Sequence, residues 1–321
     1  MLHILDVTFP FFVLVLVGWA VARRGWLPLE SIPALNLFVL YFALPCMLFR
    51  FAAATPVARM FDASVFGTWL VCAIAMVALA MAATRRIGWN DAAFGALVAA
   101  FSNSGFMGVP LLVDLLGPRA AAPAIVTLAV DMVFTSSLCI ALSRLGQADA
   151  HGAQRAVLNA LKGMATNPLP WAISAGCVVS ATGWVLPHLL MKPVAMLADA
   201  ASPAALFTLG VVLARSQRLA AASGQPQVAR SDVPLIVVMK LVLHPLLVFA
   251  AGLVAIAMGA PLDQFAAMVL TLVAALPSAS NVPMLAERFG ADAGRIARIV
   301  LVTTVVAFAT FAAAVALLAP K

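Results

Sequence analysis

Long apolar runs make up most of the chain, and polar residues are concentrated in the short segments between them. Ten of these runs are about 20 residues long, which is the length that an α-helix needs to cross a bilayer. The pattern therefore predicts an all-α polytopic membrane protein with ten transmembrane helices. The predicted spans are residues 4–23, 31–53, 63–84, 91–115, 119–145, 168–187, 192–215, 232–258, 263–286 and 294–318.

Two of these spans contain polar and helix-weakening residues that contact with lipid does not explain. The fourth span contains Phe-Ser-Asn-Ser-Gly-Phe-Met-Gly-Val-Pro at 101–110, and the ninth contains Leu-Pro-Ser-Ala-Ser-Asn-Val-Pro at 276–283. Backbone without helical hydrogen bonds is tolerated at membrane depth only where it is buried in protein or lines a wet cavity. Both spans are therefore predicted to be broken helices that line a polar site.

The residues of the two breaks suit a small anion. Each break exposes the N-terminus of a following half-helix, whose free N–H groups and partial positive charge favour an anion, and Ser and Asn side chains can bond a carboxylate. An alternative is that both breaks are proline kinks stabilised by Ser side chains, without a ligand. The predicted substrate-binding residues are Ser102, Asn103, Ser104, Gly105, Pro110, Pro277, Ser278, Ser280 and Asn281.

Matching residues in the two halves of the chain predict an inverted repeat. Positions 158 or 173 apart carry similar residues: Pro10 and Pro168, Gly18 and Gly176, Pro45 and Pro203, and the strings at 109–112 and 282–285. Each half holds five spans, and because five is odd the second half enters the membrane from the opposite side, a common plan of secondary transporters. We predict a first repeat at 1–146, a cytoplasmic linker at 147–167, and a second repeat at 168–321. The linker is either a short interfacial helix or an ordinary polar loop.

The charge pattern indicates how the chain lies in the membrane. Only 10% of the residues are charged and 64% are hydrophobic, which excludes a soluble globular protein. Thirteen of the 19 Lys and Arg residues follow spans 1, 3, 5, 7 and 9. The net charge of +7 is therefore a topology signal and does not indicate nucleic acid. This bias predicts that both termini lie outside the cytoplasm.

The sequence contains no recognisable catalytic or metal-binding motif. It lacks the nucleotide-binding pattern Gly-x4-Gly-Lys-Ser/Thr and the hydrolase patterns His-Glu-x-x-His and Gly-x-Ser-x-Gly. Its four cysteines lie in apolar runs, without the spacing of metal ligands. We therefore expect no catalytic residues, no metal site and no cofactor.

Three of the ionisable residues inside predicted spans are candidates for chemistry, because a charge there is costly and often functional. Asp131 either binds a coupling proton or sodium ion or pairs with Lys240. Lys240 either neutralises a substrate carboxylate, replaces a sodium ion as a fixed charge, or serves as a counter-ion or snorkelling lysine. His244 either relays a proton or packs as an ordinary histidine.

Several strings resemble the auxin efflux carrier family. They are Asn-Leu-Phe-Val-Leu-Tyr-Phe-Ala-Leu-Pro at 36–45, Asn-Ser-Gly-Phe-Met-Gly-Val-Pro at 103–110, Asn-Pro at 167–168, Ser-Pro-Ala-Ala-Leu-Phe-Thr-Leu-Gly at 202–210 and Leu-Pro-Ser-Ala-Ser-Asn at 276–281. The resemblance spans nearly the whole chain. It implies a fold of the bile-acid-symporter and sodium–proton-antiporter type, in which helices 4 and 9 cross. Helices 1, 2, 6 and 7 would form a scaffold and a homodimer surface, and helices 3–5 and 8–10 a transport domain.

The same resemblance implies a location and roles for particular residues. Bacterial members are described as malonate transporters or permeases, which implies the inner membrane of a bacterium. The crossover Asn and Pro residues of the auxin exporters correspond to Asn103, Pro110, Pro277 and Asn281. Some plant members have a long central loop, and the short one here puts phosphorylation control of that loop in doubt.

Together these predictions describe a secondary transporter of small organic anions, such as malonate- or auxin-like carboxylates. Transport would proceed by elevator-type alternating access, in which the transport domain slides against the scaffold. Coupling to protons, to sodium or to neither is left open. The alternatives are an anion channel, because broken helices also suit pores, and an intramembrane enzyme.

Overall fold

The computed structural model describes residues 2–60, 62–145, 168–222 and 232–318, which form helices and short connections. In these ranges no β-structure occurs beyond one isolated bridge, so the predicted all-α class is confirmed for them. The predicted linker at 147–167 lies outside the described residues. In chain order the α-helices are α1 (Leu2–Arg23), α2 (Ile32–Phe38), α3 (Leu44–Ala54), α4 (Val57–Met60), α5 (Ala63–Thr84), α6 (Trp89–Ala100), α7 (Val109–Leu116), α8 (Ala121–Val130), α9 (Ser136–Leu145), α10 (Pro168–Thr182), α11 (His188–Ala222), α12 (Val233–Val238), α13 (His244–Ala257), α14 (Gln264–Ala274), α15 (Val282–Arg288) and α16 (Ala293–Leu318).

Six helical stretches in the described part of the chain are long and apolar enough to cross a membrane. They are Ile32–Ala54, Val57–Ile87, Pro118–Arg144, His188–Arg215, Val233–Ala257 and Ala293–Leu318, and they coincide with predicted spans 2, 3, 5, 7, 8 and 10. Shorter apolar helices include Ser104–Leu116 and Gln264–Ala274, which are halves of predicted spans 4 and 9. The chain is thus a polytopic helical membrane protein, while the count of ten spans stays a prediction.

In the described part of the chain, four π-helical segments interrupt the α-helical hydrogen bonding. They are Val39–Ala43, Ser104–Gly108, Asp131–Thr135 and Met239–Leu243. Three of them run directly into a helix with proline in its first turn, at Pro45, Pro110 and Pro245. Proline has no backbone N–H and collides with the preceding turn, which explains why the helix widens there.

The helices divide into two compact units, of which the first comprises Met1–Asp62, Ser104–Val126 and Ala165–Arg215. In this unit α3 packs along α10 and α1 contacts α7. A Cβ atom placed at Gly176 would lie 2.6 Å from the carbonyl oxygen of Phe49, and one at Gly18 would collide with the carbonyl of Phe207. Glycine is therefore required where these helix backbones approach closely.

The second unit comprises Ala63–Asn103, Thr127–Met164 and Ser216–Lys321. Its helix α6 packs between α5 and α9 and is buried from Ala92 to its end at Ala100. Trp69 and Phe94 are among its largest fully buried side chains. This helix, which is buried from Ala92 onwards, leads directly into the first predicted break.

Candidate functional site

Helices α6 and α14 of the second unit end at the same buried place. The residues that follow them meet in an isolated antiparallel bridge between Ser102 and Ser278. The amide of Asn103 donates a hydrogen bond to the carbonyl of Pro277 at 2.9 Å, and a reciprocal bond of 3.0 Å closes the bridge. The helical hydrogen bonding is therefore interrupted at both predicted breaks, and each break satisfies part of the other's backbone.

Lys240 lies beside this crossing and is fully buried. Its Nζ atom donates to the hydroxyl oxygen of Ser102 at 2.5 Å and to the carbonyl of Ala274, the last residue of α14, at 3.2 Å. A third contact joins Nζ to Nδ1 of His244 at 3.1 Å. An ammonium group has three N–H donors, and these three neutral acceptors satisfy all of them.

Asp131 is a fully buried acidic residue of the same unit. Its Oδ1 atom accepts hydrogen bonds from Nε1 of Trp69 and from the hydroxyl of Thr135, both at 3.0 Å. The carboxylate and the Lys240 ammonium interact electrostatically, but no direct ion pair joins these two described residues. The direct pairing that the sequence left open is therefore not observed.

Several buried polar atoms around the crossing have no hydrogen-bond partner among the residues that the structure describes. They are both side-chain polar atoms of Asn103, Oδ2 of Asp131 and Nε2 of His244. Asp131 and His244 are connected through Trp69, which donates a hydrogen bond to Asp131 and has its ring centroid 5.3 Å from that of His244. A buried polar group normally finds a partner, so the cluster is suited to water or to a polar ligand.

The other predicted site residues have different surroundings. The hydroxyl of Ser278 donates to the carbonyl of Val98 at 2.7 Å, and its backbone amide donates to Oγ1 of Thr303 at 3.3 Å. Ser280 and Asn281 are half-buried. The remaining three, Ser104, Gly105 and Pro110, are buried in the first unit.

The half-helix ends contribute less to the site than the sequence suggested. The helix after the second break, α15, has only seven residues, and the amide of Val282 at its start already contacts the carbonyl of Ala279 at 3.4 Å. A helix that short has a small dipole. The positive charge at the crossing comes instead from Lys240.

Sequence reasoning missed a buried ion pair at the other end of α6. Arg295 is one of the basic residues counted after predicted span 9 as topology signals, yet it is only 5% exposed. Its guanidinium forms a bidentate pair with Asp232, with Nε 3.0 Å from Oδ2, and also donates to the carbonyl of Asp91 at 2.9 Å. A charge next to a span end resembles a topology signal, so only the fold reveals this pair. Trp69 and Thr303 were also missed, because an indole and a threonine in an apolar run read as packing.

Comparison with known proteins gives two matches. Residues 3–315 match the family described as "Membrane transport protein". A protein of Rhizobium meliloti (strain 1021) described as "Putative malonate transporter" is 30% identical over 319 residues, which cover 97% of this chain and 94% of that protein.

Proposed function

Because this chain belongs to the membrane transport protein family, which is the auxin efflux carrier family, we propose that it carries small carboxylates across the inner membrane of a bacterium. The family resemblance seen in the sequence is confirmed by the match over nearly the whole chain. The protein is a membrane transporter, and its family gives no indication of an enzyme. Malonate-like and auxin-like carboxylates are the proposed substrates, and the name of the relative supports malonate as the first to test.

One observation carries the proposed site, namely the side chain of Asn103. It is 1% exposed, and neither its amide oxygen nor its amide nitrogen has a hydrogen-bond partner. It follows Ser102, which accepts from the Lys240 ammonium. A carboxylate placed here would receive the amide N–H and the field of a buried cation, two features that anion recognition requires. In the proposed site, Asn103 binds the substrate, Lys240 supplies the compensating charge, and the two breaks hold them in place.

The proposed architecture is ten helices in a five-plus-five inverted repeat. Two glycine contacts of the first unit support it: Gly18 packs on Phe207, and Gly176 packs on Phe49. Gly176 lies 158 positions after Gly18, and Phe207 lies 158 positions after Phe49. In each contact, a glycine of one half of the chain therefore packs on a phenylalanine of the other half, at matching repeat positions. An inverted repeat with a two-fold axis predicts pairs of contacts related in this way.

The proposed mechanism is elevator-type alternating access. The first compact unit contains predicted spans 1, 2, 6 and 7, which supports their proposed role as a scaffold. The second contains predicted spans 3, 8, 9 and 10, which are proposed to move, whereas spans 4 and 5 are divided between the units because Ser104–Val126 belongs to the first. We also propose a homodimer through the scaffold helices and both termini outside the cytoplasm.

The site is tested by Asn103→Ala, with Asn90→Ala as the matched control at the opposite end of α6. Because Asn103 makes no side-chain bond within the described protein, its loss should leave the thermal unfolding temperature unchanged. A lost hydrogen bond to a charged group costs about 1.5–3 kcal/mol, so carboxylate counterflow in proteoliposomes should fall by about 10- to 150-fold.

Asn90 is a suitable control because its amide nitrogen already donates to the carbonyl of Phe289 at 3.2 Å. Its replacement should cost some stability but leave counterflow of the folded protein close to that of the wild type. Equal counterflow in wild type and Asn103→Ala would show that the substrate binds elsewhere.

A further inference from the structure

Asp131 and Lys240 are opposite charges buried in one unit without a direct bond between them. Lys240 uses its three donors on neutral acceptors. Oδ1 of Asp131 accepts from Trp69 and Thr135, and the backbone amide of Ser102 also lies close to the carboxylate. Oδ2 of Asp131 has no hydrogen-bond partner among the described residues. The carboxylate is therefore free to gain or lose a proton without breaking an ion pair.

The charge of this cluster depends on that proton. When Asp131 is ionised, its charge and that of Lys240 cancel. A bound carboxylate would then leave a net negative charge in a buried region, which is strongly unfavourable. When a proton is on Oδ2, the positive charge of Lys240 is uncompensated, and a carboxylate restores neutrality. Proton and anion should therefore bind cooperatively, each raising the affinity for the other.

The groups around Asp131 favour a proton over a sodium ion. A hard metal cation requires several oxygen ligands, whereas Asp131 faces the N–H of Trp69, the O–H of Thr135 and, close by, the backbone amide of Ser102. The oxygens of Ser102 and Ala274 are already bonded to Lys240. A proton needs only the one unpartnered oxygen.

Two other titratable groups face this region, His244 and Cys139. His244 interacts with Lys240 through Nδ1, and Cys139 lies close enough to Asp131 to feel its charge. A proton added to Nδ1 of His244 would remove an acceptor from the ammonium, and a thiolate would add a second negative charge beside Asp131. Of the acids in this cluster, Asp131 alone offers an unpartnered oxygen to the proton.

We propose that Asp131 takes up one proton with each substrate molecule that binds, which makes this protein a proton–carboxylate symporter. The proposal rests on the proposed function and specifies its coupling ion. The proton binds Oδ2 from the side on which the substrate enters and leaves with the substrate on the other side, while Lys240 keeps its proton throughout.

Calorimetry of the purified protein tests this directly. Malonate and indole-3-acetate are titrated at pH 8 in sodium-free buffers of different ionisation enthalpy. Wild type should take up about one proton per substrate molecule bound, and its Kd should rise by up to about tenfold per pH unit. Asp131→Asn resembles the protonated acid, so it should bind the anion without proton uptake. Asp114→Asn, which changes an exposed acid of α7, should behave as the wild type does.

Transport gives a second readout. An inward proton gradient should drive accumulation by wild-type proteoliposomes equally in sodium and choline media, and Asp131→Asn should lose accumulation and the pH dependence of counterflow. A sodium requirement, binding without proton uptake, or a folded Asp131→Asn that binds no carboxylate would overturn the proposal. If Asp131→Asn does not fold, the wild-type calorimetry decides alone. Carboxylate exchange without protons would contradict this inference only, whereas no exchange of any carboxylate would contradict the proposed function as well.

Discussion

Lys240 and Arg295 are both buried basic residues of the second unit, but the groups that bond them differ. Arg295 is held by the carboxylate of Asp232 in a bidentate pair. Its guanidinium also donates to the carbonyl of Asp91 and lies against Gly95. Lys240 has only neutral partners, and unpartnered polar atoms lie around it. Breaking a buried ion pair by removing one partner destabilises the fold, whereas a buried charge that is hydrogen-bonded but not directly paired is available to a ligand of opposite charge.

The two sites also differ in what surrounds them. Arg295 joins three helix beginnings, because Asp91 lies in the first turn of α6, Asp232 precedes α12 and Asp292 accepts from the Arg295 amide at 2.8 Å. These three helices lead to the crossing, to Lys240 and to Thr303. The ion pair therefore sets the positions from which the site residues extend.

The largest loss of stability is expected from Arg295→Met. It leaves the carboxylate of Asp232 buried without a partner, and breaking a buried pair in this way costs about 3–5 kcal/mol. The unfolding temperature of the detergent-solubilised protein should fall sharply. Arg295→Met combined with Asp232→Asn should recover most of the loss, and an unchanged unfolding temperature in the single variant would show that the pair is not structural.

Lys240→Met should have the opposite profile. It removes a charge that no carboxylate contacts directly, so the unfolding temperature should fall less than it does in Arg295→Met. Carboxylate counterflow should fall by about a hundredfold, because the counter-charge of the substrate is lost. A large loss of stability with normal counterflow per folded molecule would show that Lys240 supports the fold and does not serve the substrate.

The smallest effect is expected from Gly95→Ala. A Cβ atom there would lie 2.6 Å from a terminal nitrogen of Arg295, so the guanidinium must shift away from Asp232. Overpacking of this kind costs about 1–3 kcal/mol. Unfolding of Gly95→Ala in the Arg295→Met background should show little further loss, since the clash is absent there, and an equal loss in both backgrounds would contradict the packing account.

The sequence was sufficient for the features that differ sharply from an apolar background. The breaks near Asn103 and Asn281 were predictable because polar residues and prolines interrupt otherwise continuous spans. Asp131 and Lys240 were identifiable because ionisable residues inside spans are rare and costly. The helical class followed from the length of the apolar runs alone.

Other features depend on distances that no local pattern encodes. The pair of Arg295 and Asp232 joins residues 63 positions apart, and each reads in the sequence as an ordinary charge at a helix end. The absence of partners for Asn103 is likewise visible only once every neighbour is placed. The short α15 was unexpected because apolar residues continue in sequence after the break.

The central claim is that this protein carries small carboxylates, and trans-stimulation of malonate uptake tests it most directly. Proteoliposomes containing wild-type protein are loaded with unlabelled malonate, and the initial uptake of labelled malonate is compared with that of empty ones. A carrier predicts saturable uptake that internal malonate accelerates, with indole-3-acetate and other carboxylates tested in the same way. Linear uptake that internal substrate leaves unchanged would indicate a channel, and no protein-dependent uptake of any carboxylate would contradict the proposed function.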